Sequence, residues 1–160
     1  MKILSFNCKR LSRPDKKLAL RRLLATEALD IIFLQETLGP ANDISRTLEH
    51  ILPGWRFSRL DAHGRSGGLA MGINTRNKEE INGWGGQGFI GGNVLLAELG
   101  LSFRIVNIYG TCQNRLDFWD RLLKMDLFSA ENLIVEGDLN FSIGHVESWG
   151  HQAQRDPLSD

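Results

Sequence analysis

Short apolar runs separated by polar turns follow one another along the chain, and their period switches between that of a strand and that of a helix. Ile3-Leu4-Ser5-Phe6 is a β-prone run close to the first residue. Leu20, Leu23, Leu24 and Ala28 share one stripe at helical spacing and predict a helix over 16–28, opened by Pro14-Asp15. Ile31-Ile32-Phe33-Leu34 is a continuous apolar run, the pattern of a strand covered on both faces. A second helix is predicted over 44–51, ended by Pro53-Gly54, and strands over 55–60 and 67–73. Six of the 17 glycines fall in 83–92, which predicts a flexible turn region. No lysine with Ser or Thr follows at phosphate-loop spacing, so a nucleotide loop is excluded there. Residues 94–99 and 103–109 predict a hairpin around Gly100. Leu116, Trp119, Leu122, Leu123 and Leu127 form a third helical stripe, with Asn114 as its cap. Leu133-Ile134-Val135 is a buried-type strand running into Gly137-Asp138-Leu139-Asn140.

The pattern fades after Phe141, so one domain over 1–145 and an irregular tail over 146–160 are expected. Strands alternate with helices, then run in succession, then alternate again. That order predicts an α/β or α+β sheet with helices on one face. A chain of 160 residues is enough for one domain, and 42% hydrophobic with 24% charged residues is ordinary for a soluble globular protein.

Net charge is zero, but its distribution is uneven. Eight basic residues (Lys2, Lys9, Arg10, Arg13, Lys16, Lys17, Arg21, Arg22) stand against Asp15 alone in 2–22. Such a rim attracts phosphates, although a solvated helix face would look the same. Two cysteines, Cys8 and Cys112, make neither a disulfide framework nor a metal cluster. No secretory leader pattern and no apolar run of ~20 residues is seen, so an intracellular, soluble protein off the membrane is expected, with the nucleus compatible.

Four apolar strands each end in a residue that handles metals or phosphates. They end at Asn7, at Gln35-Glu36, at Tyr109, and at Asp138 with Asn140. Ligands of open α/β sheets bind at the carboxyl ends of strands. Aligned ends would bring Asn7, Glu36, Asp138 and Asn140 into one cleft. Two carboxylates and amide oxygens suit a hard cation, and magnesium needs only one or two carboxylates beside water and substrate phosphate. Each residue also has a plain structural role: Asn7, Asp138 and Asn140 as turn residues, Glu36 as a helix-start acid, Tyr109 as a packed strand aromatic.

Leu4-Ser5-Phe6-Asn7, Leu34-Gln35-Glu36-Thr37, Arg65-Ser66-Gly67-Gly68-Leu69-Ala70, Asn107-Ile108-Tyr109-Gly110 and Gly137-Asp138-Leu139-Asn140 occur in order. Over residues 1 to about 142 the chain resembles the endonuclease/exonuclease/phosphatase superfamily, and in particular the endonuclease domains of plant non-LTR (LINE-type) retrotransposons. The resemblance implies a DNase I-like sandwich of four layers, two sheets face to face with helices outside. It implies Mg²⁺ or Mn²⁺ at Glu36, with Asn7 supporting the metal and phosphate. It implies that Asp138 aligns or activates the nucleophile, Asn140 orients the scissile phosphate and Tyr109 approaches it. DNA is then the expected partner, with a small phosphoester as the alternative substrate.

The family pattern continues with a late Asp and a Ser-Asp-His motif that have no match here. Ser159-Asp160 lies too close to Asn140, and His145 and His151 lack the family context. A C-terminally truncated domain with impaired hydrolysis is therefore expected, or a non-catalytic retroelement-derived fragment. Most of the second sheet would be missing, leaving the first sheet's inner face bare and prone to self-association.

Overall fold

The computed structural model describes residues 1–63, 66–76 and 78–142. The expected tail over 146–160, with His145 and His151, lies outside the described residues. In chain order the elements are β1 (Ile3–Asn7), α1 (Pro14–Thr26), β2 (Ile31–Gln35), α2 (Ala41–Ile51), β3 (Trp55–His63) and β4 (Ser66–Asn74). Then come β5 (Lys78–Gly86), β6 (Phe89–Leu96), β7 (Leu101–Tyr109), α3 (Arg115–Leu123) and β8 (Leu133–Asp138).

The strands form two sheets, ordered β1-β2-β4-β3 and β5-β6-β7-β8. In the first, β1 and β2 are parallel, and β4 lies antiparallel between β2 and β3. In the second, β5, β6 and β7 form an antiparallel meander that closes on a parallel β8. A parallel pair requires a crossover, which α1 supplies in one sheet and α3 in the other.

The two-residue period of the strands sorts side chains between two cores. Ile31 and Phe33 point between the sheets and meet Leu69, Met71, Ile73 and Ile105. Ile32 and Leu34 point outward to Leu20, Ile44 and Leu48 beneath α1 and α2. On the far side Val106 and Ile108 meet Phe118 and Leu122 of α3. The layers are helix, sheet, sheet, helix, the DNase I-like arrangement. Helices therefore cover both outer faces, not the single face that element order suggested.

The first sheet's inner face is not bare. The second sheet is supplied by β5–β8, and Phe33 of the first sheet and Ile105 of the second are both fully buried between them. The glycine-rich stretch is not a loop. Only Gln87-Gly88 turns, and β5 and β6 run through the rest. A Cβ on Gly91 would strike the Trp84 ring, so the missing side chain makes room for that indole, which sits 6.1 Å from the Phe89 ring. The third helix buries only part of the expected stripe: Leu122 and Leu127 lie in the core and Trp119 packs against it. Phe118 and Leu122, four residues apart, are buried on β7, while Leu116 and Leu123 are 66% and 68% exposed. Asn114 stands at the cap position, but with φ 49° and no side-chain cap bond. The first helix opens at Pro14, which needs no amide partner there, and ends at Thr26.

At the end of the sandwich where β2 begins, an ion pair ties the sheets together. Lys78 Nζ lies 2.5 Å from Asp30 Oδ1, and the Lys2 amide donates to Asp30 Oδ2 at 2.7 Å. Burial opposes the Asp30 charge, but the bonds from Lys78 and Lys2 outweigh it and hold the carboxyl below the usual carboxylate range. Among the described residues no helix is long and apolar enough to cross a membrane.

Candidate active site

Each parallel pair puts two carboxyl ends side by side. The register sets Asn7 opposite Gln35 in the first sheet and Tyr109 opposite Asp138 in the second. Because β1 packs on β8 and β2 on β7, the two pairs of ends face each other across the sandwich. Asn7 and Glu36 thus come from one sheet, and Tyr109, Asp138 and Asn140 from the other.

All five residues singled out in the sequence meet there. Asn7 Nδ2 donates to Glu36 Oε1 at 2.9 Å and to Asp138 Oδ2 at 2.7 Å. Tyr109 Oη donates to the same Glu36 oxygen at 3.2 Å. The Asn140 amide donates to Asp138 Oδ1 at 3.2 Å, and its side chain to Gly110 O at 2.6 Å. A cleft of about 500 Å³ opens beside them, lined by Ser5, Asn7, Gln35, Asp138, Asn140 and Phe141. Burial, and then the Glu36 charge, push the Tyr109 phenol up to about 12, so at neutral pH it is a hydrogen-bond donor. Cys8, next to Asn7, is buried, and that burial pushes its thiol up to about 12. It is no nucleophile.

The backbone around the cluster is unusual. Lys9, Arg10, Glu36 and Asn140 have φ of 45°, 81°, 50° and 51°. A left-handed residue with a Cβ costs roughly 1–2 kcal/mol, and such strain gathers at sites that the surrounding structure over-determines. Here a ladder continues past the strand ends: Arg10 N to Glu36 O at 2.8 Å, Leu11 N to Thr37 O at 3.1 Å, Thr37 N to Gly68 O at 3.1 Å. Gly68, with φ 80°, lets this happen, since a Cβ there would lie 2.6 Å from Thr37 Oγ1. Gly67-Gly68 is thus the brace of the Glu36 loop. Arg65 of the same motif lies outside the described residues.

Two further residues were named in the sequence motifs but given no role of their own. Gln35 and Asn107 lie one layer beneath the cluster, 1% and 0% exposed. Gln35 Nε2 donates to Asn107 Oδ1 at 2.7 Å. The signal was present as a break in alternation: both occupy core-facing positions on strands whose other core-facing residues are apolar.

The donor set suits a hard cation. Two carboxylates converge, and among the described residues neither Glu36 nor Asp138 carries an ion pair. No group of three His, Cys, Asp or Glu gathers among those residues, so the set is not that of a zinc cage. It matches an ion that keeps water and phosphate in much of its shell, as magnesium does.

A helix-flanked double sheet with a polar cluster at facing strand ends is an arrangement that known proteins share. The chain belongs to the endonuclease/exonuclease/phosphatase family, whose model matches residues 4–158. Solved structures share the fold. An AP endonuclease from Archaeoglobus fulgidus superposes with a TM-score of 0.72 at 16% identity, covering 94% of this chain and 61% of its own. The TDP2 of D. rerio, complexed with single-strand DNA product, gives 0.68 at 18% identity, covering 88% and 60%. The endonuclease domain of TRAS1, a telomere-specific non-LTR retrotransposon, gives 0.63 at 16%, covering 88% and 59%. This chain spans about three fifths of each. No curated protein matches it.

Proposed function

We propose that this chain carries the metal-binding half of a nucleic-acid phosphodiesterase. The observation that carries this is the single Asn7 amide shared by Glu36 and Asp138, two carboxylates delivered from opposite sheets with no cationic side chain between them among the described residues. Glu36 would hold Mg²⁺ or Mn²⁺, supported by Asn7. When bound, the ion neutralises charge on the phosphate and polarises the P–O bond. Asp138 takes a proton from the attacking water, whose oxygen bonds to phosphorus as the ester P–O bond breaks. Asn140 orients a phosphate oxygen. Tyr109, protonated at neutral pH, donates to another, and the leaving oxygen is protonated from solvent.

Two features favour a polymeric substrate over a small phosphoester. Lys9 and Arg10 are exposed on the loop that starts at Asn7. A groove of about 470 Å³ runs away from Tyr109 past Thr111 and Gln113 to Arg121. That is more room than a phosphomonoester needs. DNA of the kind cut by LINE-type endonucleases is the substrate the motif order suggests. No histidine stands among the described residues of the site, so the residues that steady phosphate charge are Tyr109 and Asn140. Neutral donors stabilise phosphate charge less than charged ones, so slow turnover is the expectation. The test is nicking of supercoiled plasmid with Mg²⁺ or with chelator, beside phosphate release from a small aryl phosphomonoester. Slow Mg²⁺-dependent nicking is expected, with no phosphate release. Nicking that survives chelation would sink the reading, and phosphate release without nicking would reassign the site to a phosphatase.

A further inference from the structure

The site is assembled from two sheets that share no backbone hydrogen bond among the described residues, so its geometry depends on how one sheet sits on the other. The apolar layer between them cannot set that alone. Ile31, Phe33, Leu69, Met71 and Ile105 make non-directional contacts that tolerate small slides. One polar connection in that layer is directional. Asn107 Nδ2, from β7, reaches across to two carbonyls of the other sheet, Leu34 O at 3.2 Å and Ala70 O at 3.0 Å. Those carbonyls belong to paired residues of β2 and β4. Asn107 Oδ1 in turn accepts from Gln35 Nε2 at 2.7 Å, and Gln35 also donates to Ser5 Oγ of β1 at 3.2 Å. Three strands of one sheet are therefore indexed to one strand of the other.

We infer that Gln35 and Asn107 are positioning residues, an inter-sheet index that holds Glu36 in register with Tyr109 and Asp138. The inference rests on the function proposed above. Gln35 directly precedes Glu36, and Asn107 stands two residues before Tyr109, on the same side of its strand. A slide of one sheet would separate the Tyr109 hydroxyl from Glu36 Oε1 and stretch the Asn7 bridge to Asp138. Asn107 is fully buried below the cleft, and Gln35, on the cleft floor, is 1% exposed with its amide nitrogen committed to Asn107 and Ser5. Their directionality, and not only their burial, explains why two amides occupy positions that Leu and Met would fill at similar volume.

The double variant Gln35→Met/Asn107→Leu separates indexing from stability, because it removes both partners together and leaves no amide unpaired. Tyr109 is the only tyrosine of the chain, so biosynthetic 3-fluorotyrosine places a single ¹⁹F probe at the site. Glu36→Gln gives the resonance of a Tyr109 whose carboxylate contact is weakened. In the double variant a cooperative melt near that of the parent is expected. Its ¹⁹F line should be displaced or broadened towards the Glu36→Gln position, with Mg²⁺-dependent kcat down about 10- to 100-fold and KM nearly unchanged. A folded double variant with the parent resonance would overturn the assignment. Should the double variant not fold, Ser5→Ala, at an exposed residue, removes only the bond that steadies Gln35. A line moved part-way is then expected, and an unmoved line overturns the assignment. The ¹⁹F arm needs no turnover, so a parent protein that fails to nick DNA would defeat the proposed function while leaving the index to be judged by its own readout.

Discussion

The two ends of the sandwich are both tied across the sheets, but by opposite chemistry. Where β2 begins, Asp30 meets Lys78 at 2.5 Å, and its negative charge is answered by a lysine with 10% of its side chain exposed. Where β2 ends, Glu36 and Asp138 share an amide and, among the described residues, no cation. One end is closed electrostatically and needs nothing further to be stable. The other brings two carboxylates together with neutral donors, and in the function proposed above a positive ion would answer them. Strain follows the same division: of the described non-glycine residues with left-handed φ, Lys9, Arg10, Glu36, Leu38 and Asn140 lie in loops after β1, β2 and β8, at the carboxyl ends of those strands.

The largest effects should come from removing charge at the open end. Glu36→Gln and Asp138→Asn should each lower metal-dependent nicking by about 10²–10⁴-fold, the size of a lost proton acceptor or metal ligand. Thermal stability should stay level or rise, since each change relieves a like-charge pair. A clear fall in melting temperature in either variant would mean that the carboxylates support the fold and not a ligand. Mg²⁺ titration sharpens the same contrast. A bound ion stabilises by RT ln(1 + [L]/Kd), about 2.7 kcal/mol at a hundredfold excess over Kd. The parent melt should rise with Mg²⁺ while Glu36→Gln stays flat, and equal rises in both would place the ion elsewhere.

The closed end should respond as a structural pair. Lys78→Met leaves Asp30 without its main partner, and with that carboxylate a quarter exposed the loss should be about 1–2 kcal/mol. Activity should be unchanged while the protein is folded. The Asp30 carboxyl is held below the usual range, so the unfolded chain takes up its proton first as pH falls. The stabilisation is present above the ordinary carboxylate pKa of ~3.9 and is lost below it. Melting temperature of Asp30→Asn should therefore approach that of the parent as pH drops below about 4. A gap that persists there would show the pair acts through packing.

How legible these ends were differed for a physical reason. Asn7, Glu36, Tyr109, Asp138 and Asn140 each follow an apolar strand, and a polar residue at that place is a local signal. Their meeting in space was not local, because it needed two crossovers, in two sheets, to point the same way. The second sheet itself was misjudged at Gly83–Gly92, where glycine reads as turn unless the ring of Trp84 is known to lie across the strand. Lys78 was invisible for another reason. Nothing near it in the chain marks a lysine that will cross between sheets to residue 30. Gln35 and Asn107 fell between these cases: the break in alternation was in view, but only the facing strand gives it meaning.

The smallest expected effect tests how the open end is balanced. Tyr109 is the only tyrosine, and its phenolate absorbance after a rapid jump to alkaline pH reports its ionisation before the fold is lost. Burial is the larger cause of its upward shift to about 12, and the Glu36 charge the next. In Glu36→Gln the midpoint should fall, yet stay above the ordinary ~10, because burial remains. A raised folded-state pKa adds stability that is present below ~10 and is lost as pH climbs through the folded value, so Glu36→Gln should also flatten the alkaline fall in melting temperature. A midpoint that drops all the way to the ordinary value would make Glu36 the whole cause of the shift. The phenol would then be held protonated by one charge, and a bound cation would release it.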